Sequence, residues 1–185
     1  DGKVKFYGVS VEKVEEALKA IEYPNVQSVQ IIFNMFRQRP AELFFEQAKK
    51  KEVGIIARVP LSSGMLTGKF SKNSKFEKDD HRKFNRDGES FDKGETFSGV
   101  DYVLGLKVVE QLRSICPNKM TMSQFALKWI LMFDAVSCTI PGAKNKIQVE
   151  ENVKSSELPF LAKKTLKKVN GVYRQNIEES VHHCW

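Results

Sequence analysis

Short apolar runs alternate with longer amphipathic stretches along this chain. In the stretch after the first apolar run, Val14, Leu18 and Ile21 recur at helical spacing, with glutamates and lysines between them. Strands that alternate with helices across short turns pair in parallel, through right-handed crossovers. The pattern therefore predicts an α/β fold. Its four predicted strands are Val4–Val9, Val26–Phe36, Ile55–Val59 and Ala135–Ile140.

Turn and cap residues mark the boundaries of the predicted helices. Tyr23-Pro24-Asn25 ends the first helix, because proline disfavours a helical residue before it. Pro40 is suited to the first position of a second helix, which runs to Glu52. Further helices are predicted over Tyr102–Cys116 and Thr121–Phe133, and the latter opens with the capping-box pair Thr121 and Gln124. The chain beyond Lys146 is predicted to be helical to its last residue.

The second strand distinguishes a closed barrel from an open sheet. Val29, Ile31 and Phe33 share one face, which should pack against helices. Gln30 and Asn34 share the other face, which is too polar to bury under a second helix layer. Such a face suits the inner wall of a barrel near a ligand mouth, although two polar residues also occur at sheet edges. The pattern favours a TIM-type (β/α)8 barrel.

Residues 71–100 interrupt this alternation. The segment is rich in charged residues and has few aliphatic ones, yet phenylalanine recurs at Phe76, Phe84, Phe91 and Phe97. Two interpretations stay open: a mobile charged loop that aromatic side chains attach to the surface, or a lid over a ligand site. Its place directly after the third strand favours the lid.

Composition excludes several classes of protein. The chain has 185 residues, of which 41% are apolar and 29% charged, as in ordinary globular proteins. No apolar run approaches the about 20 residues that a membrane helix needs. Three widely spaced cysteines favour a reducing compartment, and the first residues lack the layout of a signal peptide, so we expect a cytoplasmic protein without membrane contact.

The net charge of +7 leaves two interpretations open: a solvated surface of mixed charge, or a site for an anionic ligand. Basic residues are dispersed among acidic ones, without the basic and aromatic blocks of single-strand binders. A phosphate-bearing small molecule is therefore a better expectation than nucleic acid. Residues of metal-binding type occur at His182-His183-Cys184 and Asp79-Asp80-His81, but their spacing favours structural roles, and no metal site is predicted.

Two segments resemble the aldo-keto reductase superfamily: Arg58–Lys69, with the sequence RVPLSSGMLTGK, and Ile140–Asn152, with the sequence IPGAKNKIQVEEN. Shorter matches occur in chain order at Gly8-Val9-Ser10, Gln30, Gly94–Asp101 and Ala126–Ile130. The resemblance, to bacterial-type members, implies an NADPH-dependent (β/α)8 barrel that reduces aldehydes and ketones by hydride transfer.

The resemblance also implies an incomplete barrel. The four strands resemble the last four of the family, so residues 1–185 correspond to a C-terminal half with its terminal helices and a lid-like loop at about 71–100. The family's catalytic Asp, Tyr, Lys and His come from the earlier strands. The tyrosines and histidines of this chain occur in other contexts, so no catalytic residue is assigned and we expect the chain alone to be inactive.

The resemblance assigns the nicotinamide end of a cofactor site. Ser10 and Gln30 match positions that bind the carboxamide, although Ser10 is equally suited to cap a helix. Arg58 occupies a place where many members stack a tyrosine on the nicotinamide. Its alternative partner is a carboxylate from the missing half.

The resemblance assigns the phosphate and adenine end as well. The pyrophosphate is bound by the segment after Arg58, and small residues there let backbone N–H groups approach anionic oxygens. Lys144 is assigned to the 2′-phosphate, which favours NADPH over NADH; its alternative is a solvated surface lysine. Gln148 is placed near the ribose phosphate, and Glu151 and Asn152 near the adenine. The remaining cofactor residues are Pro60, Leu61, Ser63, Gly64, Leu66, Lys69, Gly142 and Ala143.

The implied partners are a small carbonyl substrate and a second piece of protein. The phenylalanines of residues 71–100 favour an apolar or aromatic substrate. The second piece is either the missing N-terminal half-barrel or another copy of this chain. The alternative function is a non-catalytic, nucleotide-sensing or self-associating half-barrel.

Overall fold

A four-stranded parallel sheet organises the structure, a computed structural model that describes residues 2–185. The spatial order is β1-β2-β3-β4, and every neighbouring pair is parallel. The prediction of an α/β fold with a parallel sheet is thereby confirmed. The strands are β1 (Tyr7–Ser10), β2 (Val26–Ile32), β3 (Gly54–Arg58) and β4 (Val136–Thr139).

Two strands are shorter or displaced relative to their prediction. Val4 and Phe6 precede β1 and are exposed. β2 ends before Asn34, because Asn34 and Arg37 form an antiparallel bridge that turns the chain. The predicted extension of β2 to Phe36 is therefore wrong.

The helices cover most of the predicted amphipathic stretches. Pro40 lies in a 3₁₀ turn, Arg39–Ala41, so the second helix begins later than predicted. The C-terminal region is three helices rather than a continuous one. The eight helices are α1 (Val14–Ala20), α2 (Phe44–Lys50), α3 (His81–Phe84), α4 (Tyr102–Ile115), α5 (Met122–Ile130), α6 (Lys146–Glu157), α7 (Lys163–Asn176) and α8 (Glu178–Val181). No helix within residues 2–185 combines the length and the apolar character needed to cross a bilayer.

Local side chains close the helix starts. The capping box at α5 is confirmed: Thr121 Oγ1 accepts from Gln124 N at 3.2 Å, and Gln124 Oε1 accepts from Thr121 N at 3.1 Å. At α1 the carboxylate of Glu16 accepts from the N–H groups of Glu12 and Lys13. Ser10 lies in β1 and does not cap this helix, so that alternative is wrong.

The two faces of β2 differ less than the alternation predicts, because Ile32 and the following Asn34, on the more polar face, are also fully buried. Val29, Ile31 and Phe33 are fully buried on the face that meets the helices. The Phe33 ring stacks on Trp129 at 5.1 Å between centroids, and each such buried side chain stabilises the fold by about 1.5–3 kcal/mol. Gln30, on the opposite face, is only half-buried.

Residues 71–100 are held together by a buried amide and are attached to the domain by aromatic packing, such as that of Phe76 against Phe70. Asn85 is fully buried, and its Oδ1 accepts from the N–H groups of Ser90 and Phe91, both at 2.8 Å. The indole of Trp185 donates to Asp92 at 2.8 Å. The ion pair between Arg58 and Glu95 places the end of the segment beside the C-terminal end of β3.

Candidate cofactor-binding site

A cavity of about 770 Å³ opens beyond the C-terminal ends of β3 and β4. One wall is the strap, residues 59–69, which follows β3 directly. The facing wall comprises residues 140–152, which follow β4 and include the start of α6. Parallel strands bring their carboxyl ends to one edge of the sheet, so these distant segments meet there.

Most of the predicted cofactor residues line this cavity, and they come from both of the segments that carry the family resemblance. They are Pro60, Leu61, Ser63, Gly64, Lys69, Gly142, Ala143, Lys144, Gln148, Glu151 and Asn152.

Four predicted residues lie outside the cavity. Ser10 and Gln30 pair with each other, since Gln30 Nε2 donates to Ser10 Oγ at 3.0 Å. Leu66 is fully buried in the hydrophobic core. Arg58 is buried at the end of β3.

The backbone of the strap is strongly curved. Val59, Ser62 and Ser63 have φ values of 50°, 49° and 53°, in the left-handed region that favours glycine. Within residues 2–185, the N–H groups of Leu61 and Ser63 have no hydrogen-bond acceptor. Both residues line the cavity, so the strap offers free donors of the kind that bind anions.

Side chains at the start of α6 form hydrogen bonds with nearby backbone groups. Asn145 Oδ1 accepts from Gln148 N at 3.0 Å, and Gln148 Oε1 accepts from Lys144 N at 2.7 Å. Asn152 Nδ2 donates to Gly142 O at 3.4 Å. The first turn of α6 contains no acidic residue, so its positive helix end is not neutralised there. Lys144 is exposed beside this end.

Arg58 forms a buried charged group with two carboxylates of this chain. Its Nη2 is 2.6 Å from Glu12 Oε1, and its Nη1 donates to Glu95. The Arg58 guanidinium thus has two carboxylate partners within this chain. The Nε atom of Arg58 is buried without a partner among the described residues.

The two carboxylates respond differently to this environment. Burial raises the pKa of Glu12 to about 7, and its hydrogen bond to Glu95 adds to the shift. Burial opposes ionisation of Glu95 too, but hydrogen bonds from Glu12 and Arg58 lower its pKa. Burial also lowers the pKa of the neighbouring Arg37 to about 10.

Residues 71–100 contribute cavity residues that the sequence analysis did not assign: His81, Arg82, Phe91 and Glu95. Arg82 bonds to Asp80, which lowers the Asp80 pKa to about 2, and its guanidinium lies 4.7 Å from the centroid of the Phe76 ring. In the sequence, these residues are indicated only by the spacing of Asp80 and Arg82. An acidic residue that caps a helix can also pair with a basic residue two positions later, and Asp80 does both here.

A separate cluster comprises Glu42, Glu178 and His182, each offering a ligand atom within 4.8 Å of the others. The imidazole of His182 is already engaged: its Nε2 is 3.2 Å from Glu42, and its Nδ1 is 3.0 Å from the Tyr173 hydroxyl. These distances describe a hydrogen-bonded cluster that joins the end of α8 to the residues before α2.

The sequence matches proteins of one family along nearly its whole length. The profile of the Aldo/keto reductase family matches residues 1–174. An aldo-keto reductase of Strobilurus tenacellus, str7, is 31% identical over 162 residues, which are 85% of this chain and 46% of that protein. The aldo-keto reductase yakc [NADP(+)] of Schizosaccharomyces pombe is 24% identical over 155 residues, 82% of this chain and 43% of that protein.

A solved structure shares the fold. The glycerol dehydrogenase AKR11B4 from Gluconobacter oxydans superposes with a TM-score of 0.72 at 23% identity, over 95% of this chain and 51% of that protein. The chain thus spans about half the length of the relatives that it matches. On the extent of the profile match, the chain belongs to the aldo/keto reductase family.

Proposed function

We propose that this chain is the NADPH-binding half of a carbonyl reductase and that the cavity holds the dinucleotide. One observation carries the proposal: the strap and residues 140–152, far apart in sequence, line the same cavity. The name of the S. pombe relative includes NADP(+), which supports a phosphorylated nicotinamide cofactor.

The residues present fit such a ligand. The cavity has the volume of a typical cofactor site, in the range of about 300–1,000 Å³. The strap has N–H groups without an acceptor at residues that line the cavity, and these would bind a diphosphate, with positive charge supplied by Lys69. Lys144 stands at the positive end of α6, where a 2′-phosphate gains from both the ammonium group and the helix dipole.

The bound cofactor supplies the hydride, and this chain supplies position and electrostatics. Glu12 and Glu95 fix the guanidinium of Arg58 and offset its charge. Arg58 lies outside the cavity lining, and it remains the proposed nicotinamide contact only where a complete barrel brings the ring against it. Ser10 and Gln30 remain the proposed carboxamide contacts, and their mutual hydrogen bond orients both side chains.

The reaction needs a second piece of protein. We assign the catalytic Asp, Tyr, Lys and His to the other four strands of an eight-stranded barrel, so this half alone does not turn over. The substrate is a small carbonyl compound, and Phe91 gives the cavity an apolar surface for it. All three cysteines are free thiols, which fits a cytoplasmic setting.

The test is a fluorescence titration of the chain with NADPH and NADH, beside Lys144→Ala. We expect this substitution to weaken NADPH binding about tenfold, the effect of one charge-assisted contact, and to leave NADH binding unchanged. Lys154→Ala is the matched control, because Lys154 is exposed in the last turn of α6 and does not line the cavity.

Equal NADPH affinity in the wild type and Lys144→Ala would remove the 2′-phosphate assignment. Saturable aldehyde reduction by the purified chain would contradict the division of the site between two halves.

A further inference from the structure

Backbone strain in this protein is concentrated in two segments that touch. The strap has left-handed φ values at Val59, Ser62 and Ser63. The tail, which here means residues 95–99 at the end of the charged segment, has left-handed φ values at Phe97 and Ser98. Glu52 is the only further non-glycine residue with positive φ among residues 2–185. Such conformations are unfavourable, most of all for a β-branched residue, and persist only where surrounding contacts hold them.

A chain of buried hydrogen bonds connects the two segments through Asn34, which lies just after β2. Asn34 Nδ2 donates to Val59 O at 2.9 Å and to Ser98 Oγ at 2.8 Å. Ser98 Oγ in turn donates to Ser62 Oγ at 3.0 Å. The amide of Asn34, just after β2, thus reaches one strained residue in each segment.

Ser63 makes a second connection between the strap and the tail. Its hydroxyl donates to Glu95 O and accepts from Phe97 N, both at 3.1 Å. The strap is therefore joined to the tail at two successive residues, Ser62 and Ser63.

Burial separates these residues into two groups. Asn34, Ser62 and Ser98 have no exposed surface and do not line the cavity, so none of them can touch a ligand there. Ser63 does line it, and its free N–H group is one of the donors of the strap. Polar side chains that are buried and mutually satisfied specify a single arrangement of the backbone around them.

We propose that Asn34, Ser62 and Ser98 are positioning residues that hold the strap in its anion-binding shape. The identity of the ligand in this inference rests on the proposed function, whereas the expected change in the strap backbone does not. Loss of the Ser98 hydroxyl unties the tail from Ser62 and removes one acceptor from Asn34. The strained backbone of the strap is then free to relax, and its unpaired N–H groups no longer keep their present positions.

The first test needs no cofactor. Ser98→Gly removes the hydroxyl while tolerating the φ of 59°, so it separates the hydrogen bond from the backbone requirement. Hydrogen exchange is measured by NMR at the strap amides of Ser62, Gly64 and Met65, and at the sheet amide of Ile31. We expect the strap amides to exchange about tenfold faster and Ile31 to change little, as for loss of one buried hydrogen bond.

Ser90→Ala is the matched control, since Ser90 is exposed in the neighbouring segment and its side chain does not reach the strap. Unchanged strap exchange in Ser98→Gly would overturn the inference. The same increase at Ile31 as in the strap would also overturn it, because that result describes general destabilisation.

The second test repeats the NADPH titration with Ser98→Gly, for which we expect about tenfold weaker binding. Faster strap exchange with unchanged NADPH affinity would overturn the positioning role. A wild-type chain that does not bind NADPH would contradict the proposed function, and the exchange measurement alone would then decide the inference.

Discussion

At the scale of single residues, Glu12, Arg58 and Glu95 join three parts of the chain in one buried contact. Glu12 precedes α1, Arg58 ends β3, and Glu95 belongs to the tail. Two carboxylates compete for one guanidinium at a partly buried position, and burial raises the pKa of Glu12 to about 7. The folded protein therefore binds a proton at Glu12 more tightly than the unfolded chain does.

Glu12→Gln tests this by the pH dependence of stability. A raised folded-state pKa gives stability that is fully present below the ordinary value of 4.5 and is lost as pH rises toward about 7. Over that window we expect the free energy of unfolding of the wild type to fall by about 1 kcal/mol relative to Glu12→Gln. This figure allows for solvent screening of a side chain that is 34% exposed.

Urea unfolding at pH 4.5 to 8 provides the measurement. Glu157→Gln, at the exposed end of α6, is the control, and its stability should run parallel to that of the wild type. A constant difference between Glu12→Gln and the wild type across the window would contradict the raised pKa.

At the scale of elements, the starts of α4, α5 and α6 are determined by residues next to them in sequence, whereas α7 has no side-chain cap. Asp101 caps α4, Thr121 caps α5 and Asn145 caps α6, each by accepting from a backbone N–H of the first turn. The α6 cap matters most for the site, because it holds the helix end that faces the cavity. Local capping thus determines where the helix of one cavity wall begins, and this depends on no tertiary contact.

Thr121→Ala tests the contribution of a cap to the whole fold. The substitution leaves Gln124 N without its acceptor, so we expect a loss of about 1 kcal/mol in the free energy of unfolding, measured in urea. Ser114→Ala removes a hydroxyl from an exposed position within α4 and should change stability by less than about 0.5 kcal/mol. Equal losses in both variants would show that the capping box contributes nothing specific.

At the scale of the whole molecule, the sheet has two free edges. Within residues 2–185, β1 and β4 each pair on one side only. Apolar side chains are exposed next to both edges, Val4 and Phe6 beside β1 and Ile140 beside β4. Free edges of this kind pair with other chains. The longer relatives support the proposal that four further strands occupy these edges in a complete barrel.

In the absence of those strands, we expect the purified chain to self-associate through its edges. Sedimentation velocity should show species larger than a monomer, and Phe6→Lys should shift them toward the monomer by placing a charge beside β1. Val103→Lys is the control, since Val103 is exposed on α4 away from the edges. A monomer at all concentrations of the wild type would contradict this expectation.

The sequence by itself determined the parts of this protein that depend on near neighbours. The alternation in β2 predicted which face packs against the helices, and Thr121 and Gln124 predicted a helix start, because periodicity and capping act over a few residues. The family-like segments at Arg58 and Gly142 predicted the two walls of the cavity.

Only the tertiary structure decided which polar residues meet across the fold. Arg58 pairs with Glu12 and Glu95, and Ser62 bonds to Ser98, although nothing near any of these residues indicates its partner. Residues 71–100 likewise lack a regular pattern, yet they supply His81 and Arg82 to the cavity. Contacts between distant polar side chains leave no periodic trace in a sequence, since they depend on where the packed core brings each loop.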